Sequence, residues 1–118
     1  MKVLIVDDHP SFRASARRML EAEGFEVVAE AGSGAEAIHA AETWRPELVL
    51  LDVHLPDIQG FDVAERLSTN GSAPAIVLTS SHDAADFGPL VERSGALGFV
   101  PKSDLSGEAI RRVLDERA

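Results

Sequence analysis

Two apolar runs of strand length end in carboxylates, and this limits the folds open to the chain more than any other feature. Leu48-Val49-Leu50-Leu51 runs straight into Asp52, and Lys2-Val3-Leu4-Ile5-Val6 runs into Asp7-Asp8. An unbroken apolar run of this length suits a strand buried on both faces, as in a parallel sheet covered by helices. Open α/β sheets form their sites at the carboxyl ends of the strands. If the two strands are parallel neighbours, three carboxylates converge there. Like charges that close raise one another's pKa or recruit a cation, so the constellation suggests either a shared proton or a bound divalent metal.

The rest of the pattern supplies such a sheet. His9-Pro10-Ser11 opens a helix with Phe12, Ala16, Met19 and Leu20 at helical spacing and Gly24 as its stop. Phe25 to Ala29 reads as the second strand. Ser33-Gly34-Ala35-Glu36 has capping-box spacing, and Ala37, Ile38, Ala41 and Trp44 make the stripe of a helix closed by Pro46. After Asp52, Pro56 and Gly60 bracket a loop. Phe61 to Leu67 forms a short helix with Val63, Ala64 and Leu67 inward, and Thr69-Asn70-Gly71-Ser72 turns the chain. Ala75-Ile76-Val77-Leu78 is the fourth strand, running into Thr79-Ser80-Ser81. A helix is expected from Ala84 to Ser94 despite the internal Gly88-Pro89. Gly98-Phe99-Val100 is the fifth strand, Pro101-Lys102 follows, and Ser106 caps a last helix through Ile110, Val113 and Leu114. The stripes assign Phe12, Met19, Leu20 and Trp44 to the core. Five strands alternating with five helices predict right-handed crossovers and a parallel sheet with helices on both faces.

Composition narrows the function. The 118 residues, 45% hydrophobic, suffice for one core, so residues 1–118 are expected to form one domain. A formal charge of −9, from 11 Lys and Arg against 20 Asp and Glu, repels phosphate backbones and argues against nucleic-acid binding by this chain. The absence of cysteine excludes disulfides, thiolate metal sites and cysteine nucleophiles. No apolar run is long enough to span a bilayer and no signal-peptide layout precedes the first strand, so a soluble cytoplasmic protein is expected.

Parallel strands bring Asp7 and Asp8, Asp52, Thr79 or Ser80, and Lys102 to one side of the sheet. Such oxygens suit Mg²⁺, which binds through one or two carboxylates plus phosphate oxygens. A carboxylate can also attack phosphorus to give an aspartyl-phosphate, with a lysine and a hydroxyl meeting the remaining phosphoryl oxygens.

At these residues the chain resembles the receiver domains of two-component response regulators. The resemblance runs from Val3-Leu4-Ile5-Val6-Asp7-Asp8-His9-Pro10 through Leu51-Asp52-Val53-His54-Leu55-Pro56-Asp57-Ile58-Gln59-Gly60 and Val77-Leu78-Thr79-Ser80 to Gly98-Phe99-Val100-Pro101-Lys102. It implies a flavodoxin-like doubly wound α/β fold, a five-stranded parallel sheet of order 2-1-3-4-5 with five helices. It implies that Asp52 accepts phosphate from a sensor histidine kinase or phosphotransfer protein. Asp8, Asp52 and the backbone carbonyl of His54 would ligate Mg²⁺, with Asp7 acting through a metal-bound water. Thr79 would be the switch hydroxyl, Phe99 the aromatic that follows it, and Lys102 the partner of the phosphate. The switch would promote its own phosphotransfer and dephosphorylation and change binding to a downstream effector or an output domain, through the face of the fourth helix, fifth strand and fifth helix. Spacing to Lys102 keeps Ser80 open as the switch residue, and Phe99 lacks the hydroxyl of the commoner tyrosine. His9 is assigned to packing or capping, and the His54 side chain to solvent near the pocket.

Three other functions compete. A phosphatase of the haloacid dehalogenase type would place a second aspartate two residues after the nucleophile, where this chain has His54. A non-phosphorylated receiver-like module would use its surface alone. The Asp-Asp-His-Pro start and the region from Ser33 to Ala37 also resemble receivers joined to helix-turn-helix domains, a resemblance that implies the N-terminal input domain of a longer DNA-binding transcription regulator.

Overall fold

Strand β3 (Leu48–Asp52) is buried at all five residues, and the other elements are laid around it. The computed structural model describes residues 1–69, 73–81, 87 and 89–116. Beside β3 lie β1 (Lys2–Val6), β2 (Glu26–Ala31), β4 (Ala75–Ser80) and β5 (Gly98–Pro101), all parallel, in the order β2-β1-β3-β4-β5. The expected topology is therefore the observed one.

Side chains alternate across a pleated strand, so each strand feeds two cores. Val3, Ile5, Leu48, Leu50 and Val77 face α1 (Pro10–Ala22) and α5 (Gly107–Glu116), packing with Ala16, Leu20 and Ile110. Leu4, Val6, Val49, Leu51 and Leu78 face the other way, against α2 (Gly34–Trp44) and α3 (Gly60–Ser68), where Ala37, Val63 and Ala64 meet them. A single-turn α4 (Leu90–Arg93) leads towards β5.

Local chemistry sets the boundaries. Pro10 opens α1, where its missing N–H costs nothing, and Gly24 follows the helix with φ +91°. Ser33 Oγ accepts from the Glu36 N–H at 3.2 Å, while Glu36 returns to the Gly32 N–H at 2.9 Å, one residue earlier than an ideal capping box. Ser106 caps α5 by accepting from the Ala109 N–H at 2.9 Å.

Some expectations need correction. β2 starts at Glu26 and runs on to Ala31, two residues beyond the expected end, because it must match β1 up to Val6↔Ala31. Trp44 is 52% exposed and is not core. It is the last residue of α2, where Arg45 reverses the chain at φ 46°, so its ring lies past the layer the stripe covers. Phe12 and Met19 are half-buried against the α1/α5 core, and Leu20 is fully buried. Of the helix expected over Ala84 to Ser94, the described part is Leu90–Arg93; residues 82–86 and 88, like 70–72 of the expected turn, lie outside the described residues.

Candidate functional site

The register of the sheet assembles the site. Val6 pairs with Leu51, so Asp7, whose N–H continues the ladder to the Ala31 carbonyl at 3.0 Å, lies beside Asp52. Asp52 pairs in turn with Thr79, and Thr79 with Val100. Asp7 is fully buried and Asp52 is 4% exposed, while Asp8 stands at the rim. Ligand atoms of Asp7, Asp8, Asp52 and His9 lie within 4.8 Å of one another. The three carboxylates read from the sequence are together.

Lys102 leaves β5 in a short 3-10 turn (Lys102–Asp104) and reaches back over the acids. Its Nζ is 2.6 Å from Asp7 Oδ2 and 3.5 Å from Asp52 Oδ2. The Phe12 ring of α1 lies under the ammonium, 4.3 Å from Nζ to the ring centroid. Asp7 also accepts from the His9 N–H at 2.8 Å, and the Arg13 guanidinium donates to its carbonyl at 2.6 Å. Asp7 Oδ2 is nevertheless buried with no well-angled hydrogen bond, so its contact with Lys102 is ionic.

These contacts divide the two buried acids. For Asp7, burial pushes the pKa up, but the Lys102 ammonium and the His9 N–H outweigh it and hold the carboxyl below its usual 3.8. For Asp52, burial and then the charge of Asp7 win over the His54 N–H and Lys102, and the pKa rises to about 6. Lys102 is held above its usual 10.5: burial opposes its charge, but Asp7 and Asp52 overcome it. An acid of lowered pKa, an acid of raised pKa and a cation thus share a small space.

Thr79 is level with Asp52, so pleating puts both side chains on the α1/α5 face, and Ser80 on the opposite one. The Thr79 hydroxyl donates to the Val100 carbonyl at 2.7 Å. Phe99 lies on the α2/α3 side, 5.3 Å from the Phe87 ring, and Phe87 stands 5.5 Å from Phe61 and 6.0 Å from the exposed His54 ring. The His54 N–H donates to Asp52 Oδ1 at 3.2 Å. Gly60, first residue of α3, packs directly on the backbone of Asp52: a Cβ there would lie 2.2 Å from its carbonyl oxygen.

The donor set suits a hard cation. Three carboxylates converge, and the buried Asp7 Oδ2 lacks a well-aligned donor, which is the arrangement a divalent ion satisfies. Mg²⁺ fits these residues. His9 occupies the N-cap position of α1, its carbonyl accepting from the Arg13 N–H at 3.1 Å, but its side chain makes no cap hydrogen bond: Nδ1 lies 3.1 Å from Asp7 Oδ1 and 3.0 Å from Asp8 Oδ1 and pairs with the acids. Sequence reading also missed Phe12 as the seat of Lys102, Arg13 on the Asp7 carbonyl, and Asp57, which accepts from the Gly34 and Ala35 N–H groups. The first two lie at i+5 and i+6 from Asp7 on α1, a spacing that could have flagged them; Asp57 gave no local signal, because its partners are more than twenty residues away.

Fold and pocket together define a class: a doubly wound α/β protein with an acidic, cation-competent cleft, a lysine and a hydroxyl at the carboxyl ends of its strands. Within that class the chain belongs to the response regulator receiver domains, whose family model matches residues 3–114. Receivers are phosphoacceptor switches of two-component systems; they bind Mg²⁺ at the acidic pocket and interact with histidine kinases and output domains. A transcriptional regulator of Pseudomonas aeruginosa is 38% identical over 109 residues, 92% of this chain and 53% of its own length. The DNA-binding transcriptional activator EvgA of Escherichia coli is 33% identical over 104 residues, 88% of this chain and 51% of its own. The solved signal receiver domain of NarL from Mycobacterium tuberculosis superposes with a TM-score of 0.87 at 33% identity, covering 97% of this chain and 93% of that one. The chain spans about half the length of the curated relatives it matches.

Proposed function

We propose that residues 1–118 form one receiver in which Asp52 takes a phosphoryl group from a sensor histidine kinase or phosphotransfer protein, in a Mg²⁺-dependent reaction. The observation that carries this is the meeting of Asp7, Asp8 and Asp52 within 4.8 Å, with Lys102 reaching both buried acids. An Asp52 oxygen attacks phosphorus while the bond from phosphorus to the donor nitrogen breaks, its electron pair leaving with the imidazole. Asp8, Asp52 and the His54 carbonyl would hold the metal, with the buried Asp7 beside them completing the acidic pocket. When bound, Mg²⁺ supplies charge neutralisation to the phosphoryl oxygens.

Lys102 moves from Asp7 onto a phosphoryl oxygen, a charge-assisted contact. Thr79 gives up the Val100 carbonyl and turns its hydroxyl to the phosphoryl group, and Phe99, across the sheet on the α2/α3 face, is the aromatic that follows the switch. Thr79 is favoured over Ser80 because it is in register with Asp52 and shares its face of the sheet. The same groups promote hydrolysis of the aspartyl-phosphate, so the protein works as a timed switch that alters binding to an effector.

Incubation with Mg²⁺ and acetyl phosphate is expected to add one phosphoryl group by intact-mass spectrometry, and Asp52→Asn to abolish the addition. Undiminished modification of that variant would overturn the assignment. The half-length match to transcription regulators favours a second, compatible reading: the N-terminal input domain of a longer DNA-binding regulator. The length of the native gene product tests it. A cytoplasmic location accords with a structure in which no described helix is long and apolar enough to cross a membrane.

A further inference from the structure

The loop between Asp52 and α3 folds back on itself: the Gly60 N–H donates to the Val53 carbonyl at 2.7 Å, and His54 forms an antiparallel bridge with Gln59. Its tip is held from outside. One carboxylate oxygen of Asp57 accepts from the Gly34 N–H at 2.8 Å and the other from the Ala35 N–H at 2.9 Å, the first two amides of α2. Helix-start amides have no partner within their own helix, and the helix dipole favours a carboxylate there. The neighbouring Ile58 packs over Gly34, where an added Cβ would come within 2.4 Å of its Cγ1.

α2 already has a local cap, since Ser33 and Glu36 take the Glu36 and Gly32 amides. The Asp57 contact is therefore a tie between two elements that are distant in sequence, and it fastens the segment that carries His54. A loop left free must be ordered when an ion binds, and that ordering opposes binding; a loop already fastened avoids the loss.

We propose that Asp57 is a positioning residue for the cation pocket: by clamping the loop to the start of α2, it holds the His54 carbonyl ready for the metal and so sets the Mg²⁺ affinity. This rests on reading the acidic cleft as a Mg²⁺ site. Asp57 itself touches neither the acids nor the lysine through any contact in the structure described above.

The test is calorimetric titration of the full chain with MgCl₂, alongside urea unfolding, for the wild type, Asp57→Ala, Asp57→Asn and Ser33→Ala. Asp57→Ala is expected to weaken Mg²⁺ about tenfold, the low end for groups that hold ligands in place. Asp57→Asn keeps one acceptor and falls between the two. Ser33→Ala removes a local cap of the same helix, and is expected to lower the unfolding midpoint with Mg²⁺ affinity unchanged. The loss in Asp57→Ala persists at high salt, which screens a through-space effect of the missing charge. An Asp57→Ala affinity equal to wild type, a loss that disappears at high salt, or an equal loss in Ser33→Ala would overturn the inference. A wild type that binds no Mg²⁺ would instead overturn the cation site beneath it.

Discussion

Asp52 titrates near 6 because burial and the charge of Asp7 both disfavour its ionised form. Its folded pKa is above the ordinary 3.8, so between those values the native state binds more protons than the unfolded chain, and stability falls as pH rises through that window. The unfavourable contribution is complete above about pH 6. Metal-free Asp52→Asn is therefore expected to be more stable than wild type at neutral pH by roughly 1–3 kcal/mol, with the gain gone below about pH 4. Urea unfolding at two pH values checks this. Mg²⁺ competes with the same proton, so its affinity should fall as pH drops below about 6. Residues such as Asp7, Asp8, Asp52 and Lys102 were legible because each sits at the end of a recognisable strand. His9 and Phe12 were not, since helical spacing identifies a face without saying that a lysine from β5 will lie across it.

At the scale of elements, β3 was the easiest to read and is the costliest to disturb. A strand buried on both faces shows as an unbroken apolar run, whereas β2, with Glu26 and Glu30 exposed, has edges fixed only by its pairing with β1. Leu50→Ala should cost about 2–5 kcal/mol through the lost contacts and the cavity left. The start of α3 is as constrained from another cause. Gly60→Ala would drive a Cβ into the Asp52 backbone, and it should lose roughly 1–3 kcal/mol and weaken Mg²⁺ binding together, which separates it from Leu50→Ala. The Asp57 tie was illegible because it is settled by contacts between segments remote in sequence, which local propensity does not encode.

For the whole molecule, occupancy of one cleft should be felt as global stability, because a ligand that binds only the folded chain stabilises it by mass action. At a Mg²⁺ concentration one hundred times the dissociation constant, the wild type should gain about 2.7 kcal/mol, reversed by a chelator and much reduced in Asp52→Asn. Thermal or urea unfolding with and without MgCl₂ measures it. The method of detection matters, and Trp44 decides it. As the sole indole, standing half in solvent where β3 begins and the acid cleft lies where β3 ends, it sits at the wrong end of the molecule to sense an ion or a phosphoryl group. The protein is optically quiet at its own switch. An investigator following tryptophan emission would record silence and could mistake it for an inert protein.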